Sequence, residues 1–127
     1  MTKIGIGLIG GGYMGKAHAV AMSAVGAVFD TALRPQLAAI CASSPESGER
    51  YRSAYGFQKS ADGWLELLDD PAVEAVVIAS PQSTHREIAI EAFARDKPVF
   101  CEKPLGASLD DARAMTEAAE ASGQANM

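Results

Sequence analysis

The sequence predicts a doubly wound α/β domain, with a mostly parallel sheet held between two layers of helices. Three observations carry that prediction. Short apolar, β-prone runs alternate with helical patterns from one end of the chain to the other, as repeated βαβ units require. A glycine-rich segment, Gly10 to Gly15, separates the first run from the first helical pattern. The 127 residues, 48% hydrophobic and 21% charged, have the size and balance of a single domain with its own core, spanning residues 1–127.

The first strand is read at Lys3–Ile9. A helix follows, with Ala17, Val20, Ala21, Ala24 and Val25 on one face at the i, i+3, i+4, i+7, i+8 spacing. Gly26 and an irregular stretch to Pro35 lead into a second strand, Gln36–Ala42. Ser44 caps the next helix with Pro45 in its first turn, and that helix ends before Gly56. A weak strand at Phe57–Ser60 precedes a short helix capped by Asp62 and carrying Trp64, Leu67 and Leu68. The run Val73–Ala79 is almost continuously apolar, the pattern of a strand buried on both faces. Thr84-His85-Arg86-Glu87 has the form of a capping box and opens a helix with Ile88, Ala89, Ala92 and Phe93 inward. After the strand Pro98-Val99-Phe100, Ser108 caps a last helix that buries Ala112, Met115 and Ala119. The chain then stops where the alternation calls for another strand, so the expectation is a fragment boundary that leaves the Val99 strand as an open edge.

Composition narrows the function. A net charge of −5 disfavours nucleic acid as a partner, because binding phosphates needs clustered Lys and Arg. No apolar run reaches the roughly 20 residues of a membrane span. Met1-Thr2-Lys3 runs straight into the first strand, which argues against a signal peptide. Cys41 and Cys101 each close a strand and suit reduced thiols, so a cytoplasmic protein without a metal site is expected.

Gly10-Gly11-Gly12-Tyr13-Met14-Gly15 fits G-x-G-x-x-G, placed after a strand and before a helix. In that setting Gly10 makes a tight turn, Gly12 admits a pyrophosphate close to the backbone, and Gly15 lets helix and strand pack. The free amides and dipole of the helix start favour the anion. The segment therefore predicts a Rossmann dinucleotide site. At the end of the second strand an acid would bind the adenosine ribose of NAD, but Ala42-Ser43-Ser44 offers hydroxyls and no carboxylate. That favours NADP over NAD, with Arg50 farther along the helix. Ser44 also serves as a cap. The polar loop Ser80-Pro81-Gln82-Ser83-Thr84-His85 lies on the same sheet edge, with Gln82 and His85 in reach of ribose or nicotinamide. His18, one turn into the first helix, reads as a packing or locally bonded residue. Cys101-Glu102-Lys103-Pro104 alone reads as a strand-end ion pair with a turn proline; on the ligand edge of the sheet, its carboxylate and amine can hold a hydroxyl and move a proton.

Taken together, Ile9–Gly15 with Ala17-His18-Ala19, the Ala79-Ser80-Pro81-Gln82 turn with His85, and Glu102-Lys103-Pro104 resemble the Gfo/Idh/MocA oxidoreductases over Ile4 to about Ser122. The resemblance implies that Lys103 lies beside nicotinamide and substrate, that Glu102 contacts ribose hydroxyls, and that the Lys103–Pro104 bond is cis. It also implies hydride transfer between nicotinamide and a secondary alcohol of a small polyol or sugar. Gln82 stands where the family usually has Asn. The family's carboxyl-terminal domain, which supplies a His, often an Asp, and an oligomer-building sheet, has no counterpart in residues 1–127. The 127 residues alone are therefore expected to bind cofactor without turnover, and the complete protein to form a homo-oligomer. A non-catalytic NADPH-binding regulatory module would carry the same cofactor residues.

Overall fold

Five parallel strands in the order β3-β2-β1-β4-β5 form the centre of the computed structural model, which describes all of residues 1–127. In chain order the elements are β1 (Thr2–Ile9), α1 (Tyr13–Val28), β2 (Leu33–Cys41), α2 (Pro45–Tyr55), β3 (Lys59–Ser60), α3 (Trp64–Asp69), β4 (Ala75–Ile78), α4 (His85–Ala94), β5 (Val99–Cys101) and α5 (Leu109–Ser122), with a 3-10 turn at Gln82–Thr84. The strand order reverses direction at β1, so β1 and β4 lead into helices on opposite faces of the sheet and a crevice opens at its edge.

Alternate side chains of each strand feed two cores. Ile6, Leu8, Ile40 and Val77 pack with Ala19 and Met22 of α1 and with Tyr51 and Tyr55 of α2. On the other face Ile9, Cys41, Val76 and Ile78 pack with Leu67, Leu68, Ile88, Ala92, Phe93 and Met115 of α3, α4 and α5. The result is the predicted three-layer architecture. No buried side-chain nitrogen or oxygen lacks a hydrogen-bond partner.

Several elements differ from the expectation. On α1 the inward residues are Gly15, His18, Ala19 and Met22 with Ala24 and Val25, the last two as expected, while Ala17, Val20 and Ala21 face solvent. Gly15 sets this phase, because a β-carbon there would lie 2.1 Å from the Gly10 carbonyl oxygen. The helix must turn that position toward the loop, whatever its apolar spacing. It also runs past Gly26 to Val28, and β2 begins at Leu33, before Pro35. Pro35 is tolerated because β3 reaches only Ala39 and Ile40, so β2 has a single neighbour beside Pro35. Asp62 is not a cap: Gly63 holds that position without a side-chain bond. Thr84 makes no capping bond either, because its hydroxyl donates to Pro81 O at 2.7 Å inside the 3-10 turn. The Val99 strand is not an open edge along its length. Residues 125–127 lie parallel beside it, with Val99 N donating to Ala125 O and Cys101 N to Met127 O.

Candidate functional site

The loop after β1 is built by steric demands that only glycine meets. Gly10 has φ +99°, in the left-handed region, and a β-carbon there would stand 2.5 Å from the Ala79 carbonyl oxygen. The β1 and β4 loops are thus in contact at the crevice. Gly12 caps α1, and a β-carbon built on it meets nothing within 4 Å. This glycine serves no packing need of the chain; the space beside it is free for a ligand.

From this turn a groove of about 780 Å³ runs across the sheet edge, lined by Ile9–Gly12, Cys41–Ser43, Tyr51, Asp62–Trp64, Ala79–Pro81, Thr84 and Ile88. Tyr51 forms one wall against Gly11 and is stacked on Tyr55 with ring centroids 5.3 Å apart. The Tyr55 hydroxyl donates to Gly11 O at 2.6 Å, which anchors the turn to α2. Arg50 places its guanidinium 5.2 Å from the Tyr51 ring centre. Ser43 lines the groove. Ser44 accepts from Ser47 N at 3.1 Å as the cap of α2, so its hydroxyl is engaged there. A dinucleotide fits these residues: the start of α1 borders the open space at Gly12, and apolar walls of Ile9, Tyr51 and Trp64 flank it.

At the other end, Glu102 follows β5 and is fixed from two sides. His18 Nε2 donates to Glu102 Oε1 at 2.6 Å, and Glu102 N donates to Ile78 O at 2.9 Å. The His18 ring packs edge-on against Phe100, centroids 4.9 Å apart. The His18 hydrogen bond holds the Glu102 carboxyl below the usual carboxylate range, with help from the Lys103 N–H and charge, against partial desolvation. Lys103 is exposed and its only hydrogen bond is from its backbone N–H to Glu102 Oε2, at 3.3 Å, which leaves the ammonium unpartnered. The Lys103–Pro104 bond is cis.

The structure brings Gly10, Gly12, Ser43, Ser80 and Pro81 to one groove, with Glu102 and Lys103 on the same edge of the sheet. Tyr13 and Met14 are exposed at the start of α1, and Gln82 is exposed on the 3-10 turn; none of the three lines the groove. His85 is 1% exposed, and both its ring nitrogens face backbone carbonyls rather than the groove. Tyr51, Asp62 and Trp64 line the groove although they read as helix or packing residues, since nothing in their spacing marks them as facing a ligand. Both thiols are free, and burial pushes Cys41 up to about 12 and Cys101 to about 11, so neither is a nucleophile here. No helix is long and apolar enough to cross a membrane.

Fold, glycine turn and groove together define a dinucleotide-binding domain of the Rossmann class. A sequence profile described as "Oxidoreductase family, NAD-binding Rossmann fold" matches residues 4–127. Levoglucosan dehydrogenase of Pseudarthrobacter phenanthrenivorans is 39% identical over 119 residues, which are 93% of this chain and 30% of that protein. Glucose-6-phosphate 3-dehydrogenase of Bacillus subtilis is 36% identical over 94% of this chain and 31% of its own length. Among solved structures, levoglucosan dehydrogenase in complex with NADH and L-sorbose superposes with a TM-score of 0.92 at 38% identity, covering 94% of this chain and 32% of that one. An NAD-binding oxidoreductase from Klebsiella pneumoniae gives 0.95 at 38% identity, covering 99% and 34%. The chain belongs to the Gfo/Idh/MocA oxidoreductase family, as its NAD-binding Rossmann domain. It spans about 30% of the length of the curated relatives it matches.

Proposed function

We propose that residues 1–127 are the cofactor-binding domain of an NAD(P)-dependent oxidoreductase that transfers hydride between a secondary alcohol of a sugar or cyclitol and nicotinamide. The observation that carries this reading is the Lys103 ammonium, exposed and unpartnered on the same edge of the sheet as the groove. Exposed and without a partner, its ammonium is free to meet a substrate oxygen. The relatives support the substrate class, since they are named for levoglucosan, glucose 6-phosphate and inositol. Bound nicotinamide supplies a C4 that exchanges hydride with the alcohol carbon.

The protein's part is positional and electrostatic. The Gly10–Gly15 turn and the start of α1 hold the pyrophosphate by backbone amides. Glu102, kept ionised and oriented by His18, accepts from ribose hydroxyls. Lys103 donates to the reacting oxygen and orients it for hydride exchange, or assists the transfer of the hydroxyl proton. Cofactor choice follows from the far end of the groove. Ser43 stands there with no carboxylate at Ala42, and Arg50 lies across the Tyr51 ring without an ion pair, an arrangement that accommodates a 2′-phosphate. The reading is NADP over NAD.

Calorimetry of the chain with NADPH and NADH tests it. Both should bind, NADPH more tightly, and Ser43→Asp should reduce or reverse the difference. Equal affinities, or NADH preferred by the unmodified chain, would remove the NADP assignment. In the complete protein, Lys103→Ala should retain cofactor binding and lose turnover by about 100-fold or more, the scale of a missing acid–base group. A fully active variant would take the role from Lys103.

A further inference from the structure

We propose that His85 is a positioning residue that sets the nicotinamide end of the groove by tying the Lys103 loop to the Ser80 turn. The proposal rests on the assignment of Lys103 above. His85 opens α4 and is 1% exposed, beneath the surface rather than on it. Its Nδ1 lies 3.0 Å from Pro104 O and 3.1 Å from Leu105 O, and its Nε2 lies 2.9 Å from Ser80 O. All three partners are carbonyl oxygens, which only accept, so the ring bonds both loops at once only with a proton on each nitrogen; with a single N–H it donates to one loop alone.

The two loops it joins come from different strands. Ser80 follows β4 and lines the groove, while Pro104 follows Lys103 after β5. Pro104 and Leu105 lie outside every helix and strand, so no ladder holds their carbonyls. Between Lys103 and Ala107, the only hydrogen bond apart from those to His85 is the Lys103 N–H to the adjacent Glu102 side chain. The imidazole is therefore the only hydrogen-bonding group from outside this stretch that reaches the backbone following the free ammonium. A rigid five-membered ring fixes the separation between groove wall and lysine loop, which a flexible side chain would not do.

His85→Phe keeps a planar ring and removes the donors; His85→Gln returns an amide donor on one side. In calorimetry with the 127-residue chain, His85→Phe should bind ADP-ribose as the unmodified chain does and lose about fivefold in NADH affinity, the worth of a hydrogen bond. His85→Gln should recover part of that loss. Equal weakening of ADP-ribose and NADH, or no change in either, would overturn the positioning role. Failure of the unmodified chain to bind ADP-ribose would instead strike the cofactor reading. The positioning claim is then decided without ligand by backbone nitrogen relaxation, where order at Leu105 and Gly106 should fall in His85→Phe while the strands stay rigid. Unchanged order there sinks it. If His85→Phe does not fold, nitrogen-labelled histidine in the unmodified chain should show a slowly exchanging His85 ring N–H, and rapid exchange of both positions would count against the clamp.

Discussion

Glu102 shows how a single side chain acquires a fixed charge at the edge of a site. Its carboxylate is 15% exposed and accepts from His18 at 2.6 Å, a bond worth more than a neutral one because the acceptor is ionised. Folding therefore lowers its pKa below the unfolded value, the His18 bond being the largest cause. A group depressed in this way adds stability at pH values above its unfolded pKa. That contribution disappears as pH falls through the lower, folded value. Thermal melts of the unmodified chain and of Glu102→Gln should thus differ most above the ordinary carboxylate range and converge below it. A difference that grows as the pH is lowered would contradict the pairing. The sequence marked Glu102 but read His18 only as a packing or locally bonded residue. The residues are 84 positions apart, and only the β1–β4–β5 adjacency brings the α1 histidine against the end of β5.

At the scale of the element, the glycine turn governs α1. Three glycines of one motif meet three different constraints, which can be separated experimentally. Gly15→Ala would press a β-carbon to 2.1 Å from the Gly10 oxygen, a backbone atom that cannot swing away. It should destabilise the chain by about 1–3 kcal/mol or more, the cost of overpacking, read as a lower urea midpoint. Gly12→Ala meets nothing within 4 Å, so the midpoint should stay unchanged while NADH affinity falls by about tenfold, equivalent to 1.4 kcal/mol of lost contact. A Gly12→Ala chain that binds NADH normally would mean that the pyrophosphate does not pass there. These constraints also explain which elements were legible from sequence. Helix caps with a hydroxyl and no competitor, Ser44 and Ser108, were readable because the bond is local. The inward face of α1 was legible only at Ala24 and Val25, since its apolar residues spread around the helix and the deciding contact is a loop carbonyl. Thr84 fitted the capping-box pattern but was drawn into the 3-10 turn, where Pro81 O and Ser80 Oγ offered nearer partners.

For the whole molecule, parallel topology sorts the loops by edge. Every strand runs the same way, so the segments after β1, β2, β4 and β5 meet at one edge, and the returns from α1, α3 and α4 lie at the opposite one. The groove is lined by residues of the first edge, by Tyr51 of α2, the start of α3 and Ile88 of α4, with none from the returns at 29–32, 70–74 or 95–98. Alternation alone exposed this architecture in the sequence, because each apolar run reports a strand and each helix forces the next strand to be parallel. The width of the groove and its Tyr51 and Trp64 walls were not exposed, since they depend on how far α2 and α3 stand from the sheet. The topology has a consequence for cofactor binding. NADH at 100 times its dissociation constant should stabilise the chain by about 2.7 kcal/mol, because only the folded state assembles all four loops. Hydrogen exchange should then separate local from global protection. Amides at 10–15, 42–44, 79–84 and 102–105 should slow beyond the stabilisation shared by the core, whereas those at 29–32, 70–74 and 95–98 should exchange as fast as before. Those three returns open by local fraying that binding at the far edge does not suppress. Protection centred on the returns would place the ligand on the wrong side of the sheet and refute the site, whereas protection limited to 10–15 and 42–44 would confine binding to the adenosine half and separate Lys103 from the cofactor.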